Sequence, residues 1–466
     1  MVFSSTLFLF LYLVITLALY YIVPLKLRNL VLLVVSLIFY GWGEPVYIVI
    51  MFASIAIDYT HGMLVTRCKN KGNLRGAKGA VVSSVICNLA LLFFFKYWDF
   101  IAASLSAVGL NFMPQLGLEL PIGISFYTFQ TMSYTIDVYR GDAREQRNIV
   151  TFGTFVTLFP QLIAGPIVRY KDLDDQLVER TCNVEKFAQG VQRFVLGLAK
   201  KVLLADNLSQ LWKIYQATPG DELSFLGAWL GIIAFALHLY FDFSGYSDMA
   251  IGLGKMLGFE FLENFNYPYL SKSATEFWRR WHISLGNWFR DYLYIPLGGN
   301  RVGTPRLLFN LLVVWAATGI WHGASWNFLI WGLYYFFWLA VERLVLKKYL
   351  DKAPGWVGHI YGLLVILVGW AIFAVEDFSA MGDYLRAMFG MGAGLVDSHF
   401  LYYLKSFALV LILGILGATP LAKTVWHKLP GKARRVIFPV LMLLALILST
   451  AYLVDGTYNT FIYFRF

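Results

Sequence analysis

The sequence is poor in charged residues and in cysteine, and it lacks the motifs of soluble enzymes. Only 14% of its 466 residues are charged, and the three cysteines are Cys68, Cys87 and Cys182. Their spacing matches no metal site, so we expect free thiols and predict neither a disulfide framework nor a bound metal. The sequence has no Gly-x-x-x-x-Gly-Lys phosphate loop, no Gly-x-Gly-x-x-Gly turn after a strand pattern, no His-Glu-x-x-His helix and no Gly-x-Ser-x-Gly elbow. These absences exclude the soluble catalytic templates.

Apolar residues dominate the chain. They make up 59% of it, and the mean hydropathy is +0.62, which is typical of a polytopic membrane protein. A membrane-spanning helix needs about 20 apolar residues, so the chain has room for roughly 11 to 13 membrane helices, with further re-entrant or interfacial helices. We therefore predict an all-α integral-membrane protein that forms one domain, residues 1–466.

The apolar stretches can be read directly from the sequence. They lie at 1–23, 27–42, 46–65, 79–97, 121–138, 150–168, 188–204, 225–240, 307–320, 327–341, 360–374, 401–416 and 436–453. The first has no basic n-region and no cleavage site of small residues, so we expect a retained span. Proline, glycine and charged residues interrupt 150–204, which leaves the number of crossings there open.

The basic residues indicate the orientation in the membrane. The formal net charge is +10, and in membrane proteins Lys and Arg gather in cytoplasmic loops beside anionic lipid. We therefore attribute this charge to topology and contact with lipid, and we do not expect nucleic-acid binding. Basic clusters at 67–78, 272–306 and 423–435 should face the cytoplasm, and the acidic segment 375–399 should lie outside. Counting spans between them predicts that both termini are extracytoplasmic.

Two of the seven histidines follow a tryptophan within the segment 275–323. His322, in Trp321-His322-Gly323, comes between two apolar stretches and is flanked by small residues that let a backbone or a narrow ligand approach. It is either an interfacial histidine beside tryptophans or a general base, because a buried imidazole is neutral and accepts a proton near pH 7. The pattern alone does not decide between the two.

His282 lies in an amphipathic basic and aromatic segment. Arg279, Arg280 and Trp281 precede it, and Arg290 and Asp291 follow it. One interpretation is a helix that rests on the lipid surface. The other is a mouth that admits an anionic donor, with the arginines binding its phosphates and the histidine leading inward.

His238 and Asp242 have the His-x-x-x-Asp spacing that some soluble acyltransferases use for a general base and its partner. On a helix this spacing only places both side chains on one face, so the match is weak. We expect Asp242 to satisfy a polar partner within the bundle, such as an arginine of the segment 275–323.

Several motifs together resemble the membrane-bound O-acyltransferase (MBOAT) family. These are Phe-Trp-Arg-Arg-Trp-His at 277–282, Arg-Asp-Tyr-Leu-Tyr-Ile-Pro-Leu-Gly-Gly-Asn at 290–300 and Trp-His-Gly at 321–323. Supporting matches are Ala-Gly-Pro-Ile-Val-Arg-Tyr at 164–170, Tyr-Phe-Asp-Phe-Ser-Gly-Tyr-Ser-Asp-Met-Ala at 240–250 and the aromatic end at 461–466. The resemblance covers nearly the whole chain, and its motifs are specific in combination.

The resemblance implies a helical shell around a central catalytic passage in a bacterial cytoplasmic membrane. It implies that His322 and His282 are catalytic, with Arg279, Arg280, Trp281, Arg290, Asp291, Asp242, His238 and Trp321 supporting them or binding the donor. It also implies an acyl thioester as co-substrate, from acetyl-CoA or an acyl carrier protein, with no bound cofactor. The acyl group, expected to be acetyl, would pass to an extracytoplasmic partner of the SGNH hydrolase type that acylates a polysaccharide.

Other functions remain open from the sequence. A related branch of the family moves a D-alanyl group towards teichoic acid, and a transporter or flippase also tolerates broken helices and charges at membrane depth. A scaffold that only anchors a secreted partner is a third alternative. Under the enzyme interpretation, we expect His282 to meet the donor at the cytoplasmic face and His322 to meet the acceptor, as the two ends of a path through the membrane.

Overall fold

The computed structural model describes residues 1–456 and 461. Regular structure within these residues is helical, with no strand among them. The chain divides into two compact units, Met1–Phe194 with Tyr246–Leu262, and Val195–Gly245 with Glu263–Phe466. The divisions fall inside two helices, which therefore contribute to both units. Cys68, Cys87 and Cys182 are free thiols, as expected.

The first unit contains the end of α12 (Tyr246–Met256) and ten further helices, most of them short. They are α1 (Leu13–Ile22), α2 (Arg28–Gly41), α3 (Ile48–Asn70), α4 (Leu74–Leu92), α5 (Trp98–Ala107), α6 (Ile124–Arg140), α7 (Ile149–Thr157), α8 (Phe159–Leu162), α9 (Tyr170–Val178) and most of α10 (Val184–Ala199). π-helical turns at Phe8–Tyr12 and Phe93–Tyr97 and a 3-10 turn at Leu25–Leu27 adjoin them.

The second unit carries both tryptophan-histidine motifs. Its helices are α11 (Asp206–Ala217), most of α12 (Phe225–Met256), α13 (Ala274–Arg280), α14 (Ile283–Phe289), α15 (Thr304–His322), α16 (Trp326–Val341), α17 (Lys347–Leu350), α18 (Gly355–Ala374), α19 (Phe378–Met388), α20 (Phe400–Ser406), α21 (Ala408–Gly417), α22 (Leu421–Lys428) and α23 (Gly431–Asp455). π-helical turns occur at Lys200–Ala205, Arg290–Tyr294 and Glu342–Leu346, and a 3-10 turn at Pro268–Leu270.

The all-α polytopic membrane architecture is confirmed. Within the described residues, six helices are long and apolar enough to cross a membrane, and a seventh span results if the bent pair α20 and α21 is counted as one. They are Ile48–Asn70, Leu74–Ala107, Phe225–Met256, Trp326–Leu350, Gly355–Ala374 and Gly431–Asp455. Other predicted apolar stretches form shorter helices. The stretch 150–168 is one of these, because α7 has nine residues and is only about 14 Å long.

A buried network of polar side chains in the first unit links three of its helices. The Asp58 carboxylate is fully buried on α3, where it accepts hydrogen bonds from Ser84 Oγ at 2.5 Å and Asn88 Nδ2 at 2.7 Å, both on α4. Thr131 on α6 donates to Asn88 Oδ1 at 3.2 Å. A buried carboxylate is costly without such donors, so this network ties the three helices together.

The hairpin of α15 and α16 in the second unit is packed through glycines. A side chain on Gly319 would strike the backbone carbonyl of Phe328, and one on Gly332 would strike that of Trp315. Gly323 faces the ring of Phe328 in the same way. The close backbone approach expected from the small residues around His322 is therefore confirmed, and it fixes the end of α15 where that histidine lies.

Candidate active site

His282 lies at a sharp turn between two short helices. α13 ends at Arg280 and α14 begins at Ile283, and the backbone at His282 has a φ of +45°, in the left-handed region that costs a non-glycine residue energy. The side chain is 2% exposed. Strain of this kind persists only where the surrounding structure enforces it, and it is concentrated at functional sites.

Asn264 holds this turn in place through hydrogen bonds to the residues that follow His282. Its carbonyl accepts the Ile283 N–H at 3.0 Å, and its Oδ1 accepts the Ser284 N–H at 3.2 Å and the Ser284 hydroxyl at 2.9 Å. Two residues further along the chain, the Asn266 N–H donates to the Arg280 carbonyl at 2.9 Å. These bonds hold the backbone that orients the His282 ring.

Glu342 caps the other end of α13. Glu342 directly follows α16, and its side chain is buried. Its carboxylate accepts hydrogen bonds from the Ala274 N–H at 2.6 Å, the Thr275 N–H at 2.9 Å and the Thr275 hydroxyl at 2.5 Å. Tyr361 on α18 donates to it at 3.1 Å. A carboxylate at a helix N-terminus satisfies orphan N–H groups and complements the helix dipole. Glu342 therefore anchors the helix that leads to His282.

We expect Glu342→Gln to destabilise α13 by about 1–2 kcal/mol, because it removes the charge and one acceptor from the helix N-terminus. The melting temperature of the purified protein should fall accordingly. Asp351→Asn is the control, because Asp351 pairs with Lys347 at 2.8 Å in a solvated site. Equal melting temperatures for the two variants would contradict a capping role.

His322 is the last residue of α15 and is enclosed by aromatic rings. It is 4% exposed, and its ring centroid is 5.0 Å from Trp331 on α16 and 5.4 Å from Phe373 on α18, both edge to face. Trp331 and Phe373 also contact each other at 5.4 Å. Such a setting fixes the ring and keeps bulk water away from it.

Trp321 joins the two histidines. The centroids of its ring and the His282 ring are 6.1 Å apart, and those of its ring and the His322 ring are 5.2 Å apart. The two histidine rings therefore lie within the sum of these distances, about 11 Å, whereas the hydrocarbon core of a bilayer is about 30 Å thick. The two histidines therefore do not stand a full bilayer apart as the ends of a long path, because one indole bridges them in a single site.

The surroundings of His282 keep its ring neutral. Burial lowers the pKa of His282 to about 3, and the ring of Phe243 on α12 packs edge to face at 4.7 Å. A neutral imidazole offers one hydrogen-bond donor and one acceptor but no charge. His282 can thus hydrogen-bond a polar group, but it offers no positive charge to an anion.

The arginines predicted around His282 have exposed or partly exposed side chains. Arg279 is exposed, Arg280 pairs with Glu276 at 2.8 Å along α13, and Arg290 pairs with Asp291 at 2.7 Å. Arg290 has 55% of its side chain exposed. Exposed guanidinium groups remain available to an anionic ligand.

Asp242 and His238 belong to a second cluster. The Asp242 carboxylate, which is fully buried on α12, pairs with Lys201 at 2.6 Å, and Lys201 also pairs with Asp206 at 2.8 Å. His238 Nδ1 donates to the Ala205 carbonyl at 2.9 Å, which fixes the proton on that nitrogen. The basic partner of Asp242 is thus Lys201, whereas Arg280 and Arg290 pair with Glu276 and Asp291.

Trp281 belongs to the aromatic layer behind His282. Its ring stacks on Phe277 at 5.5 Å and contacts Phe265 and Trp370, each at 5.0 Å. Of the aromatic C-terminal segment, Phe461 is described, and it is buried 6.0 Å from Phe243. The remaining residues from 457 onwards lie outside the described part of the chain.

Sequence reasoning missed several residues that build this site. They are Asn264, Glu342, Phe243, Trp331, Phe373 and Lys201. Among the described residues, no three His, Cys, Asp or Glu side chains converge as they would around a metal ion. For Glu342 the sequence offered one signal, an acidic residue that directly follows an apolar stretch. Nothing in the sequence indicated which helix its carboxylate faces.

Comparison with known proteins decides the family. Residues 140–373 match the model of MBOAT, the membrane-bound O-acyltransferase family, and this segment contains both histidines and α12 to α18. The chain belongs to the membrane-bound O-acyltransferase family. The predicted resemblance is therefore confirmed, and the protein is an acyltransferase.

Relatives in this family include enzymes named for different polymers. The chain is 45% identical over 404 residues to the probable alginate O-acetylase AlgI of Azotobacter vinelandii, covering 84% of this chain and 79% of the relative. It is 32% identical over 426 residues to the peptidoglycan O-acetyltransferase of Helicobacter pylori, covering 84% and 80%. It is 29% identical over 272 residues to the teichoic acid D-alanyltransferase of Bacillus subtilis, covering 55% and 65%. These similarities support a multi-pass membrane O-acetyltransferase.

Proposed function

We propose that this protein takes an acetyl group from a cytoplasmic thioester and passes it towards the hydroxyl of an extracytoplasmic polysaccharide, with His322 as general base. The observation that carries the proposal is the bridging of His282 and His322 by Trp321 inside an aromatic enclosure. An interfacial role for His322 does not explain a second buried histidine whose ring lies within about 11 Å of the His322 ring. The names of the alginate and peptidoglycan relatives support acetyl transfer to a polysaccharide.

The charge pattern supports the proposed direction. α15 begins between Arg301 and Arg306 and runs for 19 residues, about 28 Å, before it ends at His322. Basic residues mark the cytoplasmic side, so His322 belongs to the outer end of this helix. α18 supports the same orientation, because Lys352 precedes it and Glu376 follows it, and its penultimate residue Phe373 contacts His322.

The chemistry requires one proton transfer and one acyl transfer. His322 takes the proton from the acceptor hydroxyl, and the oxygen attacks the thioester carbonyl. The carbon–sulfur bond then breaks, and the imidazolium returns its proton to the departing thiolate, which leaves an ester and a free thiol. General base catalysis of this kind contributes about 10²- to 10⁴-fold. A transient acyl group on His322 is the alternative, and it would need an acyl-imidazole that resists water.

His282 and the arginines have the donor role in this proposal. The neutral His282 ring orients a polar group of the donor beside Trp321, while Arg279 and Arg290 bind its phosphates at the exposed mouth. Acetyl-CoA and an acyl carrier protein both present phosphate next to a thioester arm, so either suits this surface. The carrier protein would be a cytoplasmic partner, and an SGNH-type protein the extracytoplasmic one.

We expect Arg279→Gln and Arg290→Gln to raise the KM for acetyl-CoA about threefold to tenfold with little change in kcat, because they remove exposed charge that binds the donor. The effect should shrink as salt increases. Arg386→Gln is the control, because Arg386 is an exposed arginine in the acidic segment. A KM that does not change in either variant would exclude a donor site at this mouth.

The proposed function is tested by incubating the purified protein in lipid nanodiscs with labelled acetyl-CoA and an acceptor. Free thiol released in step with a labelled ester supports an acyltransferase that uses this donor. Movement of intact ligand across the bilayer without thiol release would instead support a transporter. Transfer from a D-alanyl carrier protein but not from acetyl-CoA would support the teichoic acid alternative. Thiol release that needs an added secreted partner and that His322→Ala leaves unchanged would support the scaffold alternative.

A further inference from the structure

An exposed apolar loop lies in the second unit between α19 and α20. This outer loop, residues 389–399, belongs to none of the candidate spans. It exposes Phe389 by 62%, Met391 by 67%, Leu395 by 66% and Val396 by 50%. Large apolar side chains grouped in this way outside the spans mark a surface that meets another molecule.

The outer loop is held rigidly against the beginning of α12. The Ala393 N–H donates to the Leu223 carbonyl at 3.1 Å, and the Phe225 and Leu226 N–H groups donate to the carbonyls of residues 394 and 395 at 2.9 and 3.1 Å. The Ser224 hydroxyl donates to Asp397 at 2.5 Å. Because its backbone is fixed, the loop presents its apolar side chains without first having to be ordered, which lowers the entropic cost of binding.

The segment that contains the outer loop is acidic, and we call its charged residues the rim. Residues 376–399 carry four carboxylates, Glu376, Asp377, Asp383 and Asp397, and only one basic residue, Arg386. A polyanionic polymer or an anionic lipid headgroup would be repelled by this rim, and burying the carboxylates in lipid would be costly. The complementary partner has apolar side chains at the centre of its contact face and Lys or Arg at the edge.

The outer loop lies on the same side as the His322 end of the site. Its segment begins just after α18, whose residue Phe373 contacts His322. Trp229 on α12 donates to the Met388 carbonyl at 2.9 Å, and Tyr384 on α19 donates to the Ala228 carbonyl at 2.8 Å. These bonds join the start of α12 to α19, which leads into the outer loop, and only three residues separate α19 from the end of α18.

We propose that the outer loop is the docking surface for a soluble extracytoplasmic protein with a basic, partly apolar contact face, and that docking there brings this protein to the His322 end. The inference rests on the proposed function, because an acceptor protein is needed only if the acyl group leaves on the outer side. A lipid leaflet and a second copy of the chain are the competing occupants.

The first test is Leu395→Glu, with Val184→Glu as a control at an apolar residue that is 85% exposed elsewhere. We expect Leu395→Glu to lower acetylation of the exported polymer at least about tenfold, because a central contact is lost. Thiol release from acetyl-CoA by the purified variant, measured with a small hydroxyl acceptor that needs no docking, should change by less than about twofold. Normal polymer acetylation in Leu395→Glu would overturn the proposal, and a wild-type protein that releases no thiol would instead overturn the proposed function.

The second test needs no destabilising substitution. A photoreactive phenylalanine analogue replaces Met391 in living cells, and its adducts are identified by mass. We expect a single protein adduct whose yield correlates with polymer acetylation. The adduct yield and polymer acetylation should both fall when Glu376→Lys reverses one charge of the rim. Adducts with lipid alone or with a second copy of this chain would overturn the proposal, as would an adduct yield that Glu376→Lys leaves unchanged.

Discussion

Replacing His322 with alanine is expected to lower acyl transfer about 10²- to 10⁴-fold while the protein stays folded. The imidazole is the general base in the proposed reaction, and alanine leaves no group to take the hydroxyl proton. The enclosure has its own support, because Trp331 and Phe373 pack on each other beside the histidine at 5.4 Å. The loss should therefore appear in kcat, with the KM for the donor changed little.

Thiol release from acetyl-CoA and ester formation, measured on equal amounts of purified protein, check this expectation. His322→Gln is the sharper variant, because the amide still forms hydrogen bonds but does not act as a base at neutral pH. His427→Ala is the matched control, since His427 is exposed on α22, outside the outer loop. Near-normal transfer by His322→Ala would exclude His322 from catalysis.

The same reaction distinguishes a general base from an acyl carrier. If His322 acts as a base, protein that is quenched in acid or base after exposure to labelled donor alone holds no label. If it carries the acyl group, label accumulates on the protein before acceptor is added and is lost with the lability of an acyl-imidazole. The position of the ring at the end of α15 is compatible with either attack geometry.

Runs of apolar sequence predicted the spans well where each helix is long and uninterrupted. The stretches 327–341, 360–374 and 436–453 correspond to α16, α18 and α23 within a few residues. At 150–168 hydropathy left the number of crossings open, because a broken α7 and α8 pair has the same composition as a continuous span. Whether such a segment crosses depends on what surrounds its free backbone groups, and that information is not local.

The candidate site was only partly predictable. The motifs indicated His282 and His322, but their separation depends on how α13 packs against the α15 and α16 hairpin. Glu342 looked like a charge at the end of a span, because sequence cannot show that its carboxylate meets the N-terminus of α13. Lys201 was hidden in the apolar stretch 188–204, since its partner Asp242 comes from a distant helix.

Breaking the buried ion pair of Asp242 and Lys201 is expected to lower the stability of the fold. Asp242 is fully buried and Lys201 is 3% exposed, with 2.6 Å between carboxylate and ammonium. Removing one member of such a pair costs about 3–5 kcal/mol, because the remaining charge stays buried. We expect Asp242→Ala to lower the melting temperature by several degrees, with Asp206 offsetting part of the loss.

Asp206→Ala is the matched control for Asp242→Ala. Asp206 pairs with the same lysine at 2.8 Å, but 20% of its side chain is exposed, so water screens its charge and its removal should cost less. Equal melting temperatures for the two variants would contradict a dominant role for the buried pair. A double variant, Lys201→Met with Asp242→Leu, should recover stability, because an apolar pair of similar volume removes both buried charges.

Acyl transfer by this double variant then tests whether the charges serve only the fold. Asp242 directly precedes Phe243 on α12, and the Phe243 ring packs 4.7 Å from His282. If the ion pair acts by fixing this part of α12, the double variant should regain activity together with stability. Recovered stability with lost transfer would instead mean that the Asp242 and Lys201 charges act on the reaction, beyond holding the helix that supports His282.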